Sequence, residues 1–281
     1  MPRYKLTIAY DGTDFVGWQK QEPPDPDAPV PASGEEPKRL QLRTVQHVLE
    51  QTVRQVVREQ VVVTGASRTD SGVHANGQVA CFTSEPDASK GVGWPIERRT
   101  ENLVKAINSK LPRDMLVHSA EVVADDFNPI GDAVEKEYCY TIVSGPVRPL
   151  WDRRFVFHTW YDLDATRMQA AADLMVGEHD FACFAQINHG RKTTVRTIYK
   201  CQIETPGPGK FVIRVSGNGF LYNMVRIIAG TLMDVGRGKI EPKMVREMIA
   251  CGDRRKAGVT LPPMGLRLEW IRYGEGTGDK G

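Results

Sequence analysis

The chain alternates between segments with the two-residue period of a β-strand and segments with the 3.6-residue period of an amphipathic helix. Residues 4–10 alternate and are rich in β-formers, whereas apolar residues recur at helical spacing from Val45 to Val57, behind a predicted N-cap at Thr44. The same patterns predict strands at 61–65, 77–82, 138–143, 198–204, 211–216 and 266–273, and helices at 101–111, 164–176, 219–235 and from about 242. This interleaving predicts a mixed α+β architecture with a boundary near residues 121–128.

The composition is that of an ordinary globular protein and excludes several other classes. Of the 281 residues, 41% are apolar and 26% are charged, which argues against collagen-like, fully disordered and fibrous chains. No apolar run approaches the roughly 18 residues that span a membrane. Five widely spaced cysteines without a C-x-x-C pair predict reduced, mostly buried thiols. The N-terminus lacks the pattern of a signal peptide, so we expect a cytoplasmic protein.

Residues 22–37 form an acidic, proline-rich insertion between the first strand and the first helix. They contain six prolines and five acidic residues but no lysine, arginine or aromatic residue. Such a segment buries too little apolar area to offset its ordering entropy, so we expect a mobile, disordered-like surface loop. Because the whole chain has a formal charge of +2, the other 265 residues carry +7. This modestly basic remainder is compatible with contacts to phosphates.

The loop at residues 65–75 combines hydroxyls, a cation, a carboxylate and an imidazole between two apolar strands. A serine nucleophile would need a G-x-S-x-G elbow, which the loop lacks. A metal site at Asp70 and His74 lacks further ligands nearby. The third chemistry is a carboxylate nucleophile at Asp70, with Arg68 close by in the sequence. Asp, Ser and Gly are also common turn residues, so the pattern alone leaves a plain turn open.

Arg226 stands in the apolar segment predicted as a helix over residues 219–235. On a helical projection it shares a stripe with Gly219, Asn223 and Gly230, and glycines there would let another backbone approach closely. If this stripe is buried, the arginine needs a carboxylate partner, because an unpaired buried cation is costly. If the stripe is exposed, the guanidinium is simply solvated. The residues by themselves leave both possibilities open.

The run Arg68-Thr69-Asp70-Ser71-Gly72-Val73-His74-Ala75 resembles the signature loop of the tRNA pseudouridine synthase A (TruA) family. Further segments match that family in the same order: Tyr10-Asp11-Gly12, Gly17-Trp18-Gln19, Thr44-Val45-Gln46, Asn108 to Val117, Lys136-Glu137-Tyr138-Cys139-Tyr140, Thr193-Thr194-Val195-Arg196, Asn218 to Arg226 and Pro262-Pro263-Met264-Gly265-Leu266. Many ordered matches are far harder to obtain by chance than one motif. The resemblance therefore extends over nearly the whole chain.

The resemblance implies an enzyme that isomerises uridine to pseudouridine at positions 38–40 in the anticodon stem-loop of tRNA, without a metal or organic cofactor. It implies an α+β fold of two similar sheet-plus-helix halves, residues 1–124 and 125–281, joined into a mostly antiparallel sheet with a central catalytic cleft. It also implies a homodimer that takes tRNA as its partner. From the lack of a long apolar run, we expect no membrane partner.

Four residues receive roles from the resemblance. Asp70 matches the nucleophile, a group that can hold a covalent intermediate while the detached base turns. Arg226 matches the arginine that pairs with this aspartate and keeps it ionised. Tyr138 matches the active-site tyrosine that stacks on the target uracil. Arg68 matches the residue that helps to extrude the target nucleotide, whose glycosidic bond is inaccessible inside a stack.

Two features depart from the family's pattern. Ile130 stands where relatives usually carry arginine, which puts a contact near the pocket in doubt, and the insertion at 22–37 is longer than usual. The missing arginine favours one alternative, a catalytically inactive RNA-binding module. A hydrolase that uses Ser67 or Ser71 with His74 is a more distant alternative.

Overall fold

The computed structural model describes residues 1–28, 37–186 and 193–274, and within them the chain forms ten β-strands and five α-helices. The strands are β1 (Arg3–Tyr10), β2 (Thr64–Gly65), β3 (His74–Thr83), β4 (Met115–Val123), β5 (Ala133–Ser144), β6 (Phe157–Thr159), β7 (Gly177–Asp180), β8 (Val195–Gly207), β9 (Lys210–Gly217) and β10 (Leu266–Tyr273). The helices are α1 (Val45–Val57), α2 (Thr100–Asn108), α3 (Ala165–Asp173), α4 (Met224–Gly236) and α5 (Met244–Cys251).

The described chain divides into two compact units, and the division is not linear in sequence. The first unit contains residues 1–72 and 79–130, and the second contains residues 73–78 and 131–274. Strand β3 therefore begins in the second unit and ends in the first. The division into two domains at residues 124 and 125 stays a prediction.

In the first unit, β1 pairs antiparallel with β4 along its whole length, and its other neighbour is β3. Every second residue of β1 is buried, as its alternating sequence predicts. Helix α1 presents one apolar face that includes Leu49, Val53 and Val57, each at most 1% exposed. Burial of one such side chain contributes about 1.5–3 kcal/mol, so this face holds the helix in place.

In the second unit, the strand order is β10-β5-β9-β8-β7, and each of these neighbouring pairs is antiparallel. Two further pairings are parallel: β6 pairs with β5, and residues 74–75 of β3 pair with β10. Helix α3 packs on β8 and contacts α4. The predicted α+β class with a mostly antiparallel sheet is confirmed.

Several predicted element boundaries were wrong, and each error has a local cause. The helix predicted over 219–235 begins only at Met224, because Asn223 has a left-handed backbone with a φ of 61° and interrupts helical geometry. Gly219 is therefore not on the helical stripe of Arg226. Only Thr64–Gly65 of the predicted strand 61–65 is paired. Strand β4 was missed, although its buried residues largely alternate as in a strand with one solvated face.

The prediction of reduced, mostly buried thiols is confirmed. All five cysteines are free; four are buried and Cys251 is exposed. Burial raises the pKa of Cys81 to about 12, so this thiol stays protonated near neutral pH. In the described part of the chain, no helix is both long and apolar enough to cross a membrane.

The first residues of the acidic insertion are hydrogen-bonded to the residues that follow the insertion. The amide of Asp25 donates to the carbonyl of Lys38 at 2.7 Å, and that of Leu40 donates to the carbonyl of Pro23 at 2.8 Å. The ammonium of Lys38 also lies 3.2 Å from the carboxylate of Asp25. Residues 29–36 lie outside the described residues, so the disordered-like loop stays a prediction there.

Gly230 on α4 allows the backbone of residues 258–261 to approach the helix closely. A Cβ at Gly230 would overlap the carbonyl oxygen of Val259. In turn, the amide of Gly258 donates to the hydroxyl of Thr231 at 2.8 Å. The close approach that the sequence suggested for the glycine stripe is therefore present at Gly230.

We expect Gly230→Ala to destabilise the protein by about 1–3 kcal/mol, because the methyl group meets rigid backbone. Gly236→Ala on the same helix is the matched control, since its Cβ would meet the flexible side chain of Met168. Denaturant unfolding of both variants measures the difference. Equal stability of the two variants would contradict the steric argument.

Candidate active site

The loop that carries Asp70 leaves β2 at a position where the backbone is packed against an aromatic ring. A Cβ at Gly65 would overlap the indole of Trp18, which is itself 2% exposed. One residue further on, the amide of Ala66 donates to the carbonyl of Val79 at 2.8 Å. The start of the loop is thus fixed by packing on one side and by strand β3 on the other.

The segment Phe15–Trp18 holds the loop on both sides of Asp70. Before it, the carbonyl of Thr69 accepts a hydrogen bond from the amide of Trp18 at 2.9 Å. After it, the carbonyl of Phe15 accepts from the hydroxyl of Ser71 at 3.2 Å and from the amide of Gly72 at 3.4 Å. The backbone on each side of Asp70 is therefore restrained.

Gly17 lies at the centre of this holding segment, and glycine is required there for two reasons. Its φ of +78° is rarely adopted by other residues. A Cβ at this position would also lie 2.9 Å from the carbonyl oxygen of Thr69. The glycine of the Gly17-Trp18-Gln19 motif is thus explained by the close approach of its backbone to the Asp70 loop.

The holding segment is anchored to the first turn of α1. The amides of Val45 and Gln46 donate to the carbonyls of Gly17 and Trp18 at 3.1 and 3.0 Å. The side-chain amide of Gln46 accepts from the amide of Lys20 and donates to the carbonyl of Val63, both at 2.8 Å. Gln46 therefore connects α1, the holding segment and the approach to β2.

The two predicted site residues of this loop differ in exposure. Asp70 is half-buried, whereas Arg68 is exposed. The half-buried carboxylate of Asp70 keeps part of its hydration, while the loop backbone on each side of it is restrained. An exposed guanidinium on a loop is suited to contact a large polyanion.

Tyr138 lies in β5 of the second unit, 7% exposed, between Val215 of β9 and Leu268 of β10. The edge of its ring meets the ring of Phe220, with centroids 5.2 Å apart and planes at 81°. Phe220 comes just before α4, so this contact connects β5 with the segment that leads to Arg226.

Arg226 lies in the first turn of α4, and two hydrogen bonds fix its guanidinium. Its Nε donates to the carbonyl of Leu261 and its Nη1 donates to Oδ1 of Asn223, both at 2.6 Å. The amide of Leu261 also donates to the carbonyl of Arg226 at 3.3 Å. The predicted pair of Arg226 with Asp70 joins residues of the two units and stays a prediction.

Tyr140 shows why the proline-rich motif near residue 262 accompanies the tyrosine motif. Its hydroxyl donates to the carbonyl of Pro262 at 2.7 Å. Burial raises the pKa of Tyr140 well above its ordinary value, although the nearby charge of Arg226 acts in the opposite direction. Tyr140 is therefore a neutral donor that fixes the segment next to Leu261.

Two sequence alternatives also receive a structural description. The hydroxyl of Ser71, one of the two candidate serine nucleophiles, donates to the carbonyl of Phe15. The side chain of Ile130 is 59% exposed, and its amide donates to the side-chain oxygen of Asn128 at 3.0 Å. Among residues 1–28, 37–186 and 193–274, there is no group of three or more His, Cys, Asp or Glu residues arranged to hold a metal ion.

Sequence reasoning did not assign roles to several residues that support the site. Trp18, Gln46 and Asn223 position Asp70 or Arg226 through the contacts described above. All three lie inside the matched motifs, which is the signal that marks them. Their functions required the coordinates, because each acts on a residue distant in sequence or through an irregular backbone.

Comparison with known proteins identifies the family. A family model described as tRNA pseudouridine synthase matches residues 6–129 and 171–274. A chain in the solved structure of a Cbf5-Nop10-Gar1 complex aligns with 94% of this chain, over 57% of its own length. The identity is 10% and the TM-score is 0.34, and both values are too low to support a conclusion.

Curated relatives match over nearly their full length. The tRNA pseudouridine synthase A 2 of Clostridium perfringens is 41% identical over 273 residues, which cover 97% of this chain and 100% of the relative. The tRNA pseudouridine synthase A of Pelobacter propionicus has the same identity and coverage. That of Solidesulfovibrio magneticus is 40% identical over 291 residues, covering 100% of this chain and 97% of the relative. The chain therefore belongs to the tRNA pseudouridine synthase family and is an isomerase.

Proposed function

We propose that this chain forms pseudouridine at positions 38–40 in the anticodon stem-loop of tRNA, with Asp70 as the nucleophile. The observation that carries the proposal is the restraint of the loop backbone on both sides of Asp70 by Phe15 and Trp18. We further propose that it acts as a cytoplasmic homodimer without a metal or organic cofactor.

The reaction exchanges one bond between base and ribose for another. The bond from ribose C1′ to uracil N1 breaks, the base turns, and C1′ bonds to C5. C5 then loses its proton, and N1 takes up a proton, so that the product is an isomer of the substrate. Asp70 enters as the nucleophile, at either ribose C1′ or uracil C6, and leaves unchanged. A carboxylate suits this role because it forms a covalent intermediate and is also a competent leaving group.

The other three residues position Asp70 and the base. Arg226 pairs with Asp70, and its bonds to Leu261 and Asn223 restrict the orientation of the guanidinium. Tyr138 stacks on the target uracil from a strand position. Arg68, which is exposed on the same loop as Asp70, helps to draw the nucleotide out of its stack.

The direct test of function is position-by-position pseudouridine mapping after incubation of the protein with a mixed tRNA pool. We expect new pseudouridine at positions 38–40 and at no other uridine. Bound tRNA whose uridines remain unchanged would favour the RNA-binding module without catalysis that Ile130 suggests. New pseudouridine only outside the anticodon stem-loop would contradict the proposed substrate site.

We expect Asp70→Asn to lower the rate of tritium release from C5-labelled uridine in tRNA by about a thousandfold or more, since an amide is a far weaker nucleophile. Asp87→Asn, in an exposed turn of the same unit, is the matched control and should keep the wild-type rate. Wild-type turnover by Asp70→Asn would disprove the nucleophile.

We expect Arg226→Met to lower turnover by about a hundredfold or more, because it keeps the apolar stem but removes the charge that pairs with Asp70. The turnover of Arg226→Lys should lie between those of the wild type and Arg226→Met, since lysine keeps the positive charge but lacks the planar guanidinium with its fixed donors. The same tritium assay measures both, with Arg246→Met on an exposed position of α5 as control. Full activity of Arg226→Met would contradict the pairing.

A further inference from the structure

A buried pair of hydroxyls stands next to Asp70. The hydroxyl of Tyr10 and Oγ1 of Thr69 lie 2.8 Å apart, a distance typical of a strong hydrogen bond between hydroxyls. Tyr10 is 4% exposed and Thr69 is 7% exposed. Thr69 directly precedes Asp70, so this side-chain contact acts one residue away from the carboxylate.

Tyr10 belongs to the rigid part of the first unit. It is the last residue of β1 and pairs with Met115 of β4. Its ring packs near those of Phe15 and Trp18, with centroids 6.3 and 6.4 Å apart. The side chain of Tyr10 therefore extends from the end of β1, beside the rings of Phe15 and Trp18, and its hydroxyl reaches Thr69.

The hydroxyl contact adds a different restraint from those of the backbone. Trp18 binds the carbonyl of Thr69, and Phe15 binds Ser71 and Gly72, so both restraints come from a connecting segment. The contact with Tyr10 fixes the side chain of Thr69 directly to the sheet. Together with the bond from the amide of Trp18 to its carbonyl, it holds both the side chain and the backbone of the residue before Asp70.

We propose that Tyr10 and Thr69 are positioning residues for the reaction, and that their hydroxyl pair holds Asp70 in the geometry of attack. This inference rests on the proposed role of Asp70 as nucleophile. Reaction rates depend steeply on such placement, and a displacement of about 1 Å can cost about a hundredfold.

The same strand provides a matched control. Tyr4 lies on the same face of β1, is fully buried, and donates its hydroxyl to the carbonyl of Trp94 at 2.8 Å. Tyr4→Phe and Tyr10→Phe each remove one buried hydroxyl from β1. Of these two tyrosines, only Tyr10 contacts the residue before Asp70. A loss of kcat in both variants would therefore report lost stability, whereas a loss in Tyr10→Phe alone would report lost positioning of Asp70.

The test compares Tyr10→Phe, Thr69→Val, the double variant and Tyr4→Phe. For each, kcat and KM for pseudouridine formation in tRNA are measured, together with the denaturant midpoint of unfolding. We expect Tyr10→Phe and Thr69→Val each to lower kcat about tenfold to a hundredfold, with KM for tRNA within about twofold of wild type. The double variant should be no slower than the slower single variant, because the two hydroxyls act as one unit. Thr69→Ser, which keeps the hydroxyl, should retain most of the activity.

Two results would overturn the inference while the proposed function stands. One is an active wild type whose Tyr10→Phe variant keeps full kcat and loses only as much stability as Tyr4→Phe. The other is an equal loss of kcat in Tyr10→Phe and Tyr4→Phe, which would assign both effects to general destabilisation. A wild type that leaves every uridine of tRNA unchanged would instead overturn the proposed function, and this inference with it.

Discussion

The first unit depends on the close approach of the Phe15–Trp18 segment to the Asp70 loop. Buried backbone groups must find partners, and on both sides of Asp70 the loop finds them in Phe15 and Trp18. The approach is possible only because Gly17 has no side chain and adopts a positive φ. Since the first turn of α1 also binds this segment, the helix helps to determine where the loop that carries Asp70 lies.

The second unit uses the same physical device for its arginine. Gly230 lets residues 258–261 lie against α4, and this brings the carbonyl of Leu261 to the guanidinium of Arg226. Tyr140 holds the neighbouring Pro262 from the sheet. In both units, a glycine admits a second backbone. In the first unit that backbone restrains the loop on both sides of Asp70, and in the second unit it binds the guanidinium of Arg226.

The motifs that mark the family therefore have two kinds of members. Arg68, Asp70, Tyr138 and Arg226 match residues with proposed chemical roles, whereas Gly17-Trp18-Gln19 and Thr44-Val45-Gln46 supply the support. The support consists mainly of backbone hydrogen bonds, whose donors and acceptors are the same for every residue except proline. A motif of this kind constrains shape more than side-chain chemistry, and only the fold explains it.

The sequence by itself determined the α+β class, the helix over Val45–Val57, the first and last strands, the state of the cysteines and, through ordered motifs, the family. These are local periodicities or direct identities, which need no partner in space. Tertiary structure decided that α4 begins after Asn223, whose left-handed backbone interrupts the apolar pattern and whose side-chain amide binds Gln186, 37 residues away. It also decided the support of Asp70, because the contacts of Tyr10 and Trp18 with Thr69 span more than 50 residues of chain and no local pattern encodes them.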